Sequence, residues 1–499
     1  MSKPKIKHWS DLPERCYAVM DGKLSIVTRG EKGWKRASVN AENNTANHEL
    51  AVLKNKELGV TPEQARLLVT GAVIGWDTLV TPKKNASTDP EIMEVELYCK
   101  STGDVSTNLK LPATPFALAD ALEKLRITDG DTPYQSGILW CDPEYLYEAV
   151  DETANVHELN HLALQISGMS QWELDCFDGL VMMEQEKNGH ASIPAERLIN
   201  LAYSLENCQI AYEAHNDKQL GKFYVDNGMS DIPDNLPEIL YEMLDYESIG
   251  RKARVSESGV FTDKGYVVCS GGIAQVYQSG SAIVQGNSLA QGAGHTIELE
   301  VCIAHSSKGF FEEGSHIESP LLPADDGMID RVLVQLEAAS VEECSFRAAD
   351  CIVPKLTKVI SDALYATEGD CYGAVNELAA QLKGLEQSGK LCTYKAMLEA
   401  APQDITLEEA IDLAGQVEWF SVMKEATTPA DYARNMLSKY CIEQADVLYA
   451  NTNLWQYGKK LIAEKGIAMT EYGALWSLDG QTVEQRLCRT EPSMTMEMR

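Results

Sequence analysis

Apolar residues along the chain follow two rhythms, and the rhythms divide it. The runs "IMEVELYCK" (92–100) and "TIELEVCIA" (296–304) read as strands. "CYAVMDGKLSIVTRGEKGWKRASV" (16–39) sets strand-like runs between Asp-Gly and Lys-Gly turn signals. Elsewhere the period lengthens to that of a helix. Leu159, Leu162, Ala163 and Ile166 form one apolar stripe, and Leu198, Leu201, Ala202 and Leu205 form another. Ser170-Gln-Trp-Glu173 and Thr406-Leu-Glu-Glu409 fit the capping box that opens a helix, and Thr61-Pro62-Glu63-Gln64 starts a further helix running to about Val73. Phe261 to Val267 reads as a turn and a short strand, with Gly265 where the backbone needs an angle other residues resist.

The blocks recur in order. "LPATPFALADALEKL" (111–125) has a counterpart in "LPADDGMIDRVLVQL" (322–336), and "LNHLALQISGM" (159–169) in "VNELAAQLKGL" (375–385). "ERLINLAYSLE" (196–206) aligns with "EEAIDLAGQVE" (408–418), and "DYESIGRK…FTDKGYV" (245–267) with "NLWQYGKK…MTEYGAL" (453–475). Ordered self-similarity of this kind predicts a tandem duplication. The expected architecture is multidomain α+β. It comprises a small N-terminal α+β module (1–90), a first unit (91–267), a Gly/Ser/Ala/Gln-rich linker (268–295), a second unit (296–476) and a polar tail (477–499).

Charge sharpens the division. The net charge is −32, distributed as +4 over residues 1–90, −20 over 91–275 and −16 over 296–499, with no charged side chain in 276–295. Such a field repels nucleic acid and membrane surfaces and attracts basic partners. There is no run of about 18 apolar residues to span a membrane and no secretory signal at the start. The 13 cysteines are scattered and form no C-x-x-C pair, which points to reduced thiols in a cytoplasm rather than a disulfide framework.

One motif suggests catalysis. His157-Glu158-Leu159-Asn160-His161 fits H-E-x-x-H, in which two histidines on one helix face hold zinc and the glutamate activates a bound water. The second unit places Gly373 and Glu377 where the histidines stand, and no third ligand follows at the expected spacing. A zinc metallohydrolase is therefore the third reading. Neither a phosphate-binding loop nor a nucleophile elbow is present, and no cofactor is called for.

The run "LINLAYSLENC" followed by "DKQLGKFYVDNGMSDIPDNLPEILYEMLDYESIGRKARVSESGVFTDKGYV" resembles the ArdA-type antirestriction family, as do the upstream "LPATPFALADALEKL" and "ELNHLALQISGM". Residues 296–475 look like a more divergent copy, and the N-terminal module is similar to one found beside such domains in mobile-element proteins. The resemblance implies a non-enzymatic DNA mimic that occupies the DNA-binding groove of a type I restriction–modification enzyme, acting as a homodimer or an intramolecular pseudo-dimer. The carboxylates it implicates are Asp231, Asp234, Glu238, Glu242, Asp245 and Glu247. They are expected to line an outer face as a continuous stripe. Lys252 departs from the family pattern, which has an acid there, and the second copy's Asn453–Lys460 has no acid at all. An acidic adaptor for some other basic protein is the alternative.

Overall fold

A computed structural model describes residues 15–20, 23–30, 33–38 and 46–58, and residues 91–487 apart from 104, 128–131, 234–236, 280–293, 304–315, 326, 368, 370, 402–404 and 441–444. The chain is multidomain α+β, with its strands in several small antiparallel sheets. In the N-terminal part, Arg15–Met20, Lys23–Gly30 and Gly33–Ser38 form a three-stranded meander, as the turn signals lead one to expect. Helix Ala46–Glu57 packs Ala51 against Leu24, and Asn55 exchanges two hydrogen bonds with the Tyr17 backbone (2.7 and 2.6 Å). The helix expected from Thr61 lies outside the described residues.

The next part of the chain is built on Met93–Cys99, the central strand between Val105–Leu111 and Gln135–Cys141. Alternation makes it a strand: Met93, Val95, Leu97 and Cys99 all point into the core. Its register puts Glu94 opposite Trp140, then shifts by a bulge so that Val95 faces Ile138. Helix Pro115–Lys124 follows, then Val156–Ser167, Gln171–Lys187 and Ala195–Ala202. Leu159, Leu162, Ala163 and Ile166 are buried as their spacing implies. Asn160, also buried, donates to the Ala113 carbonyl and accepts from its amide (3.1 and 2.6 Å), fixing the entry to the Pro115–Lys124 helix. A second sheet of Cys208–Ala211, Tyr266–Cys269 and Val260–Phe261 carries helices Asp217–Asp226 and Tyr246–Glu257.

The later part runs through a parallel series of elements. Ile297–Ile303 pairs with Cys344–Cys351, setting Glu298 opposite Asp350 before a bulge brings Leu299 to Ala348. Asn376 brackets Ala324 through its amide and carbonyl (2.8 and 3.0 Å). Helices Met328–Leu336, Tyr372–Gln387, Leu391–Ala400 and Leu407–Gly415 precede a sheet of Phe420–Met423, Gly473–Ser477 and Ala468–Thr470. Both expected capping boxes form, Ser170 with Glu173 and Thr406 with Glu409.

Two features lie beyond what periodicity could show. Residues 270–279, expected to be linker, strap across the earlier helices. Tyr277 is 1% exposed, its backbone is bracketed by Asn200, and the Ala274 amide donates to Ser204 Oγ (2.9 Å). Helix Pro115–Lys124 also docks on the later part of the chain. Asp350, 5% exposed, accepts from the Phe116 amide (3.0 Å) and Thr114 Oγ1 (2.6 Å), so the helix start is capped from across the interface. Phe116 joins the core containing Ile297, Leu299 and Phe346. Buried Lys395 donates to Asp120 (2.6 Å) and Glu123 (2.8 Å), Tyr472 Oη donates to Asp120, and Lys124 pairs with Glu471 (2.6 Å).

Candidate functional site

Two of the implicated carboxylates, Asp245 and Glu247, belong to one of two helices that touch backbone to backbone. Glycines on both helices make this contact. A Cβ on Gly221 would sit 1.8 Å from the Tyr246 carbonyl oxygen, and one on Gly250 would sit 1.8 Å from that of Asp217. Charge closes the same contact: Asp217 accepts from Arg254 (2.8 and 3.2 Å) and lies 3.7 Å from Arg251. The Arg254 hydrogen bond holds the Asp217 carboxyl below its usual range. Tyr246 Oη donates to the Tyr241 carbonyl (2.8 Å), tying the incoming turn to the helix. Most of the conspicuous "DYESIGR" motif therefore builds the scaffold.

On this scaffold Asp231, Glu238, Glu242, Asp245 and Glu247 are exposed, while Asp234 lies outside the described residues. Asp245 and Glu247 also have local partners. The Asp245 carboxylate caps the Tyr246–Glu257 helix by accepting from the Ser248 amide (3.1 Å), and Glu247 pairs with Arg251 (2.6 Å). Asp231, Glu238 and Glu242 make no ion pair with a described residue. Glu238 and Glu242 sit on a five-residue helix, Glu238–Glu242, that buries no side chain of its own.

The same helix shows what sequence reasoning passed over. Ile239, Leu240 and Met243 stand exposed among the acids, Met243 by 76%. The apolar residues stand between the acids in "EILYEM" (238–243).

The zinc-like motif comes apart at its central residue. The Glu158 carboxylate is buried and accepts hydrogen bonds from Tyr277 Oη (2.8 Å) and Ser279 Oγ (2.5 Å), both on the strap. It is thus held in a structural network rather than aimed at a bound water. His161 bonds Tyr203 Oη (3.2 Å) and stacks on Tyr277. Burial lowers the pKa of both histidines. Among the described residues no group of three or more His, Cys, Asp or Glu could hold a metal ion, and no helix is long and apolar enough to cross a membrane.

A helix in the later part of the chain is held in a similar way. Asn453 caps helix Leu454–Lys465 through the Gln456 amide (3.1 Å), and a Cβ on Gly458 would meet the Pro429 carbonyl oxygen at 1.8 Å. Trp455 stands exposed on this helix with Lys459 Nζ 5.4 Å from its ring, and Glu464 is exposed further along.

Residues 105–268 match the family described as antirestriction protein (ArdA). The match opens with strand Val105–Leu111 and closes within Tyr266–Cys269, so it includes the glycine-clamped helix pair and the acids around it. No curated protein matches the chain.

Proposed function

We propose, on the premise that residues 105–268 form an antirestriction domain of the ArdA family, that the protein inhibits type I restriction–modification enzymes by occupying their DNA-binding groove. The observation that carries this reading is the exposed carboxylate group of Asp231, Glu238, Glu242, Asp245 and Glu247 on a clamped scaffold inside the matched residues. DNA presents one phosphate charge per ~1.7 Å of axis, and its protein partners draw much of their affinity from neutralising those charges. Carboxylates held on a rigid face offer the same cations similar partners. No bond is made or broken; inhibition is by exclusion of DNA. Incoming DNA of a plasmid, conjugative element or phage is the beneficiary. In this reading the later part of the chain is a second, divergent copy of the domain. The shared bulge after Glu94 and Glu298 and the bracketing Asn160 and Asn376 support it.

Competition with DNA for a purified type I methyltransferase tests the proposal. The protein should displace DNA, less so as salt rises. Neutralising Asp231, Asp234, Glu238, Glu242, Asp245 and Glu247 together should weaken competition roughly a hundredfold, each site giving from a few tenths to 1 kcal/mol. A folded sixfold variant that competes undiminished overturns it. A second reading is an acidic adaptor for another basic protein, favoured by exposed Ile239, Leu240 and Met243, which a groove shaped for DNA does not require. Failure of the unaltered protein to displace DNA from the methyltransferase would favour that reading.

A further inference from the structure

Three cysteines lie together on the far face of the sheet that carries the candidate helices. Ala211 and Tyr266 turn one face of that sheet toward Leu220 of helix Asp217–Asp226. The other face holds Cys208 and Cys269, which stand directly opposite each other on antiparallel strands. Opposed residues of such a pair have their Cα atoms about 4.5 or 5.5 Å apart. Disulfides span Cα separations of roughly 4.4–6.8 Å, so the strands need not move to join these two. Helix Gln171–Lys187 covers this face: a Cβ on Gly179 would lie 2.4 Å from Val267 Cγ1. One turn before Gly179, Cys176 hydrogen-bonds the Cys208 thiol, which also hydrogen-bonds that of Cys269.

Access orders the three thiols. Cys176 and Cys208 are 0% and 4% exposed, whereas Cys269 is half-buried and its thiol donates to the Gly271 carbonyl (3.2 Å). Cys269 also lines a cavity of about 380 Å³, with Lys187, Arg197 and Glu257 among its other walls. A small disulfide arriving from solvent therefore meets Cys269 first and Cys208 second. Burial raises the pKa of Cys269, and the Cys176 hydrogen bond together with burial raises that of Cys208. Thiols of high pKa present little thiolate and are poor leaving groups, so a bond between them forms slowly and is slow to be reduced. The stretch between the two cysteines, 209–268, holds both clamped helices and all six implicated carboxylates.

We propose that Cys269 and Cys208 form a disulfide under oxidising conditions, by exchange with a small disulfide of the glutathione class, closing the acid-bearing stretch into a covalent loop. The Cys269 thiolate attacks one sulfur of the incoming disulfide, whose S–S bond breaks and releases one thiolate. The Cys208 thiolate then attacks the Cys269 sulfur of the mixed disulfide and releases the second. Each cysteine gives up its proton to water, the pair loses two electrons, and the small disulfide is reduced to two thiols. Linking strands so far apart in sequence removes conformations from the unfolded chain. The bond therefore steadies the sheet and the helices it carries against local opening, and it does so whichever partner the acids meet.

The full chain, first reduced and then incubated with oxidised glutathione, tests this. Peptide mapping should find Cys208 linked to Cys269, and amide hydrogen exchange across 209–268 should slow roughly tenfold or more, recovering with dithiothreitol. In Cys208→Ala the chemistry should stop after the first step, leaving a glutathione adduct on Cys269. In Cys269→Ser, Cys208 should take up neither adduct nor link, while Cys176→Ala should still join the pair. Melting curves establish that each variant folds. The map of the unaltered protein is decisive whatever the variants do. Absence of the Cys208–Cys269 link, or a Cys176–Cys208 link in its place, overturns the proposal, as does a link that leaves hydrogen exchange over 209–268 unchanged.

Discussion

Helix Tyr246–Glu257 and helix Leu454–Lys465 are held alike and differ in the acids at and just after the cap. Each begins on a capping side chain, Asp245 or Asn453, and each presses a glycine, Gly250 or Gly458, onto a neighbouring backbone carbonyl. One then shows Glu247 and its acidic approach, the other Trp455 and Lys459. Positions that set backbone spacing are intolerant because nothing else fits, whereas an outward position can lose its charge, as Glu247 and Trp455 show, at little cost to the fold. A second contrast is one of burial. Lys395 is buried among carboxylates, whereas Asp178 is part-open and has Asp175 and Asp263 near it.

The widest separation between the two parts should come from that pair. Lys395→Ala removes the cation nearest buried Asp120 and leaves it Tyr472 Oη and Lys124 (3.6 Å), and breaking a buried ion pair from one side costs up to about 3–5 kcal/mol. Thermal and denaturant unfolding should register it, and a variant as stable as the parent would show that water reaches Asp120.

Next in size are the glycines. Gly250→Ala and Gly458→Ala each drive a Cβ to 1.8 Å from a carbonyl oxygen, which forces the helices apart and should cost about 2–4 kcal/mol. Similar losses in both parts are the expected result. Loss in only one would mean that the clamps are not equivalent.

Asp178→Asn should act in the opposite direction. Burial, with Asp263 and Asp175 adding to it, pushes the Asp178 carboxyl up to about 6. A carboxyl with a raised folded pKa binds its proton more readily in the folded state, so the ionised group opposes folding above pH 6 and ceases to as pH falls toward 4. The asparagine variant should therefore be more stable by about 1–3 kcal/mol at pH 7 and nearly equal at pH 4. A gain independent of pH would point to packing instead.

The smallest effect belongs to the outer acids. Glu247→Gln gives up an exposed pair with Arg251 and should change stability by no more than about 1 kcal/mol.

Much of this was legible in the chain because it is local. Alternation placed the strands at 93–99 and 297–303, and the capping boxes at 170 and 406 open helices where residue type and spacing indicated. The rest depends on partners distant in sequence. Nothing near "HELNH" announces that Tyr277, 119 residues on, will take Glu158 into a buried hydrogen bond. Lys395 looks like a solubilising lysine in an amphipathic helix until Asp120, 275 residues earlier, is set against it. Asp245 reads as one of six similar acids, and only the Ser248 amide distinguishes it as a cap.

The strap ending at Ser279 and the strand beginning at Ile297 have a further consequence for the docked helix. Seventeen residues of sequence, 280–296, separate the two. Parts of one chain joined over so few residues meet at an effective concentration on the order of millimolar. A neighbouring molecule offering its own Pro115–Lys124 helix to the Asp350 face must outcompete one that is always at hand. Exchange of that helix between molecules is therefore suppressed at micromolar concentrations, and a cut between 279 and 297 should be what releases it.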